Sequence, residues 1–167
     1  MGRRGTALRR TIAIVSGVLA IALIVAAAAF AAEVSRTEYK TAAEPICKSN
    51  TQANERILAG VRQEVKAGKL KPAAAKFAKA STALKKALRE LEALPQPTAD
   101  EARLAKWFSL VKVEAELFAT VGKKLKAGDK ADAQRTITKL YANANQANLE
   151  VLPFGFNYCR FEPAKFT

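Results

Sequence analysis

The chain has 167 residues and a net charge of +13, with no histidine, Met1 as its one methionine, and Cys47 and Cys159 as its only cysteines. Those absences remove the commonest metal ligand, the usual haem ligands and every His-paired nucleophile. The sequence therefore predicts no cofactor, no metal site and no catalytic residue. What remains is rich in Ala, Leu, Lys and Glu and poor in Gly, the composition of helix formers, and it predicts an all-α domain.

Residues 1–11 carry Arg3, Arg4, Arg9 and Arg10 without an acidic partner, and residues 12–32 follow with no charge at all. A run of about 20 apolar residues suffices for one helix to cross a bilayer core, and the arginines before it keep the N-terminus in the cytoplasm. Two fates fit this segment. Its length favours an uncleaved anchor, giving a cell-membrane protein with an extracytoplasmic domain. Ala29-Phe30-Ala31 is a small-x-small motif, and cleavage after Ala31 would give a secreted one. In either case the charge of +13, less those four arginines, leaves +9 on the exported part, enough to attract anionic polymers or lipid.

Residues 33–43 read as a polar connector that becomes helical near Thr37 or Thr41, and residues 44–167 as one domain. The first helix of that domain is expected from about Glu44 to Ala67, with Pro45 in its first turn. Its apolar face reads Cys47, Asn50, Asn54, Ile57, Leu58, Val61 and Val65, and Gly68 is its stop. Pro72 then opens a second helix carrying Phe77, Ala80, Leu84, Ala87, Leu88, Leu91 and Leu94, which Pro95-Gln96-Pro97 terminates. Thr98 and Glu101 have the spacing of a capping box for a third helix, whose stripe is Leu104, Trp107, Phe108, Val111, Ala115, Phe118, Val121 and Leu125. Gly128 and Asp129 end it and cap a fourth, with Ala133, Ile137, Leu140, Ala144, Ala147 and Val151. Four stripes and three short turns predict an antiparallel up-down four-helix bundle behind a single N-terminal hydrophobic helix. Leu84, Leu88, Leu91, Phe108, Val111, Phe118, Ile137 and Leu140 are its expected shared core.

Lys66-Ala67-Gly68 recurs as Lys126-Ala127-Gly128 sixty residues later, each copy joining two helices, and Leu94-Pro95 is echoed by Leu152-Pro153. This is a short internal repeat. In an up-down bundle the start of the first helix and the end of the fourth lie together, so Cys47 and Cys159 converge, and an oxidising compartment lets them form a disulfide. A Cys early in the first helix, Asn-rich positions after it, an Ala-Gly-Asp turn and the terminal Gly155-Phe156-Asn157-Tyr158-Cys159 together resemble small exported helical proteins of high-GC Gram-positive bacteria. That resemblance covers most of residues 42–159 and transfers only Cys47, Gly155, Phe156 and Cys159. It implies a fold and a compartment, and no activity.

Two regions are candidates for binding. At the cysteine end, Asn50, Asn54, Asn145 and Asn148 would line a polar ligand pocket capped by Trp107, Phe154 and Phe156 if they face inward. The competing reading is that these amides satisfy one another and local backbone. At the other end, both Lys-Ala-Gly turns gather Arg62, Lys66, Lys69, Lys71, Lys76, Lys123, Lys124, Lys126 and Lys130, offset only by Glu64, Asp129 and Asp132. Cations are also favoured at helix C-termini whatever their function. The reading carried forward is a non-catalytic, envelope-associated binding or scaffolding protein that contacts an anionic envelope polymer or an acidic protein through the lysine-rich end. A small-ligand carrier using the cysteine end is the alternative. No specific nucleic acid is expected as a partner, and the membrane is one only through residues 12–32.

Overall fold

The computed structural model of the protein describes residues 33–162, and their only regular secondary structure is helical, without a strand. The expected hydrophobic helix over residues 12–32 lies outside the described residues; among those described, no helix is long and apolar enough to cross a membrane. Four long helices dominate: α1 (Arg36–Leu58), α3 (Leu70–Glu92), α4 (Glu101–Lys126) and α5 (Lys130–Glu150), with a six-residue α2 (Val61–Lys66) between the first two. Ala32–Thr167 makes up one compact unit, and the whole described core lies within it.

The first helix departs from expectation at both ends. α1 begins at Arg36, inside the supposed connector, because Ser35 and Glu38 form a capping box: the Ser35 hydroxyl accepts from the Glu38 N–H and the Glu38 carboxylate accepts from the Ser35 N–H. The extra turns bury Tyr39 and Ala43. Pro45 consequently sits well inside the helix, on its exposed side, where the Thr41 carbonyl deprived of its donor can turn to water. The helix then breaks at Ala59-Gly60, with Gly60 in the left-handed region (φ 73°), and α2 resumes the same apolar spacing with Val61 buried.

The Thr98–Glu101 capping box is also absent. Residues Thr98–Asp100 form a 3-10 turn with no side-chain cap, and Asp100 instead accepts two 2.8 Å hydrogen bonds from the Arg36 guanidinium. This bidentate pair ties the start of α1 to the start of α4 and holds the Asp100 carboxyl below its usual range. Asp129 does cap α5, accepting from the Asp132 N–H at 2.9 Å.

The sequence stripes largely become the core. Phe77, Leu84, Leu88, Leu91, Leu104, Trp107, Phe108, Val111, Phe118, Leu125 and Leu140 are all buried. Ile137 is the exception among the expected shared core, only half-buried. α1 packs on α3, α3 on α4 and α4 on α5, while no comparable backbone contact joins α5 to α1 or α2. The α3–α4 contact is close because Gly122 faces α3, where a Cβ would stand 2.9 Å from the Ala74 carbonyl oxygen.

Around the disulfide, the segment after α5 fills the seam between α5 and α1. Phe154, Phe156 and Cys159 are buried there, and the Glu44 carboxylate accepts from the N–H groups of Asn157 and Tyr158. Cys47 and Cys159 are bonded with their Cα atoms 4.9 Å apart, as the convergence argument expected. Rings stack over them: Trp107 on Phe156 (5.9 Å) and Phe156 on Phe154 (5.2 Å), with Tyr39 edge-on to Phe154 (5.8 Å).

Candidate functional site

The two Lys-Ala-Gly segments are the same backbone motif. After α2, the Lys69 N–H donates to the Glu64 carbonyl (2.8 Å) and the Gly68 N–H to the Val65 carbonyl (3.2 Å). After α4, the Asp129 N–H donates to the Lys124 carbonyl and the Gly128 N–H to the Leu125 carbonyl, both at 3.0 Å. Each is a Schellman ending, which needs a residue at positive φ, and Gly68 (φ 74°) and Gly128 (φ 83°) supply it. The turns lie side by side: Lys69, Leu70, Lys71 and Pro72 of one share an open depression with Lys126, Ala127 and Gly128 of the other.

Arg62, Lys66, Lys69, Lys71, Lys123, Lys126 and Lys130 are exposed, and none enters an ion pair among the described residues. Lys76 and Lys124 behave differently. Lys76 donates to Glu64 (2.6 Å) and to the Ala59 carbonyl (2.7 Å), bracing the α1–α2 break. Lys124 is held by Asp132 at 2.6 Å, and Arg135 pairs with the same carboxylate. Lys124 first, then the Asp129 side chain, with Arg135 adding a smaller part, pull the Asp132 carboxyl down to about 2. Lys124 is therefore a structural cation rather than part of a free patch. Two of the three acids expected to offset the cluster, Glu64 and Asp132, are likewise engaged, and the third, Asp129, is the cap of α5.

Beside the turns, between α2 and α5, lies a groove of about 360 Å³. Its floor is Val61, Val65, Phe77, Leu125, Ala133 and Ile137, and Arg62, Lys66 and Lys130 stand at its margin with Gln134 and Tyr141. It exists because α5 makes no extensive backbone contact with α1 or α2 and the chain's own tail closes that seam around the disulfide. This groove is also why Ile137 is half-buried.

The amide pocket expected around the disulfide is not assembled. Asn54 is buried and donates to Asn50 (3.3 Å). Asn148 is spent on the tail, donating to the Phe161 carbonyl and accepting from the Phe161 N–H, both at 2.8 Å. Asn145 is exposed. Trp107 is core. The cavity left there, bounded by Cys47, Asn50, Thr51, Trp107, Glu114 and Arg160 among others, is about 40 Å³, room for roughly three waters at most.

That cavity does expose a residue absent from the sequence reading. Glu114 is 1% exposed, and its Oε1 has no hydrogen-bond partner. Burial pushes its carboxyl up to about 8, against a smaller opposing effect of a hydrogen bond with Asn143. The signal was present in the spacing: Glu114 lies three residues after Val111 and four before Phe118, inside the apolar stripe of α4. Among the described residues no group of three or more carboxylates and cysteines converges as metal ligands would. Comparison of the chain with protein-family models, with curated proteins and with solved structures gives no match.

Proposed function

We propose that the chain is an exported, envelope-associated binding protein without catalytic activity, tethered through residues 12–32 or released after Ala31. In this reading its four long helices form an antiparallel up-down bundle, and its partner is an anionic envelope polymer or an acidic protein. The observation that carries the reading is the pairing of the two Schellman turns. They present Lys69, Lys71 and Lys126 around one depression while the nearby acids are already engaged. Ordinary macrodipole complementarity accounts for cations near helix ends, but it does not require two turns to be brought side by side with their charges unpaired. The small cavity around the disulfide and the engagement of Asn148 by the tail speak against a ligand carrier there.

Binding of this kind is dominated by electrostatics and weakens steeply with salt. The test is retention of the domain on an anionic polysaccharide or teichoic-acid matrix across a salt gradient, against a variant with Lys66, Lys69, Lys71, Lys123 and Lys126 changed to Gln. Lys124 is left in place because its change would also break the Asp132 pair. The variant should elute at much lower salt, with the salt slope reduced by about one for each contacting lysine lost. Equal elution would leave these lysines as a solvated surface. Nucleic acid would bind in vitro for the same reason and would not indicate function.

A further inference from the structure

The groove between α2 and α5 combines two properties that a polymer of charged sugars or phosphates would not need together. Its floor is apolar, formed by Val61, Val65, Phe77, Leu125, Ala133 and Ile137, and its margin holds three cations, Arg62, Lys66 and Lys130, with no acid among the lining residues. Its volume of about 360 Å³ lies within the roughly 300–1,000 Å³ of ordinary small-molecule sites. We propose that this groove takes the alkyl chain of an anionic amphiphile, with the acidic head held by Arg62, Lys66 and Lys130. The inference rests on the reading that the lysine-rich turns bind anions, and it names a class of anion for the groove beside them.

Charge complementarity decides the occupant. A cationic amphiphile would meet three like charges, and a neutral one would leave them unused. The head and the chain of an anionic amphiphile are matched separately, by the margin and by the floor. An apolar face left open along a seam that the chain's tail closes elsewhere is costly unless something covers it. Val65 and Ile137, the two half-buried floor residues, are where an alkyl chain would remove the most exposed apolar surface.

The experiment uses the compact unit 32–167 and calorimetric titration with octanoate, decanoate and dodecanoate below their micellar concentrations. Each added methylene should tighten binding roughly fourfold. Decanol should bind about tenfold more weakly than decanoate. Ile137→Gln, or Val65→Gln should the first variant fold poorly, should flatten the chain-length dependence. Arg62→Gln with Lys66→Gln and Lys130→Gln, all on the surface, should keep that dependence and abolish the preference for the acid. Vesicles of phosphatidylcholine with phosphatidylglycerol form the second arm. Recruitment to them that is lost in Ile137→Gln supports the site with a membrane lipid as source, and binding of the free carboxylates alone supports it with a soluble one. A flat chain-length series would overturn the proposal, as would a tight dimer that buries the groove in sedimentation experiments. If the carboxylates do not bind while an anionic polysaccharide is still retained through Lys69, Lys71 and Lys126, the groove inference fails and the reading of the turns stands. If neither binds, both fail.

Discussion

Changing Glu114 to Gln should remove a loss of stability that the wild-type domain suffers as pH rises. In the unfolded chain this carboxyl ionises near pH 4.5, whereas in the folded protein burial holds its proton to about 8. Between those values the folded state binds more protons than the unfolded one, so stability must fall with rising pH. The penalty is absent below the unfolded value and reaches its full size once pH has passed the folded one. Across pH 5 to 9 such a shift corresponds to roughly 4 kcal/mol, which for a domain of this length is on the order of 15 °C in melting temperature. Tyr158 and Arg160 line the same cavity, and the Arg160 cation is the group that would soften the penalty. Gln keeps the shape and the hydrogen bond with Asn143 and cannot ionise. Thermal unfolding of wild type and Glu114→Gln by circular dichroism across this range should give profiles that meet near pH 5 and diverge steadily above it. Asp132, held near 2 chiefly by Lys124, titrates outside the window and is common to both proteins. Parallel profiles would refute the burial argument.

Other perturbations test the packing. Phe118→Ala should cost about 3 to 5 kcal/mol and Leu88→Ala about 2 to 5, since both side chains are buried; urea unfolding should also show Ile137→Ala costing clearly less, because that residue lines the open groove. Gly122→Ala should destabilise by about 1 to 3 kcal/mol despite the better helix propensity of Ala, since the new Cβ meets the backbone of α3 rather than a movable side chain. Replacing Cys47 and Cys159 by Ser should cost about 4 to 5 kcal/mol on chain-entropy grounds, given a bridge that spans 112 residues. Calorimetry of the oxidised and reduced wild type should give a comparable difference.

The long helices were legible because α3, α4 and α5 each carry one uninterrupted apolar stripe and each follow a turn with its own chemistry, at Gly68, Pro95 and Gly128 respectively. The disulfide followed from where those turns send the chain. The Ser35–Glu38 cap went unread, and the domain's first helix was set at Glu44 behind a connector turning helical near Thr37 or Thr41, because residues 33–43 lack a long apolar face: only Tyr39 and Ala43 are buried there. The break at Gly60 was hidden for the opposite reason, since Leu58, Val61 and Val65 keep helical spacing across it. Thr98 and Glu101 had the right spacing and the wrong neighbours, Asp100 being drawn to Arg36 from 64 residues away. Periodicity also assigned the four asparagines to one pocket, whereas Asn148 is claimed by the Phe161 backbone. Glu114 stood in plain view on the α4 stripe. The groove was not readable at all, because it depends on which helices fail to meet, and a one-dimensional pattern records only which faces are apolar.

The central claim is that the paired Lys-Ala-Gly turns form an anion-binding face, and amide chemical-shift mapping tests it most directly. The compact unit 32–167 would be titrated with a teichoic-acid polymer at low ionic strength and again at high salt. The account predicts saturable shifts concentrated in residues 66–71 and 123–130 that vanish as salt screens the charges. Shifts scattered over the surface, or centred on the cavity beside Cys47 and Cys159 while these turns stay silent, would contradict it.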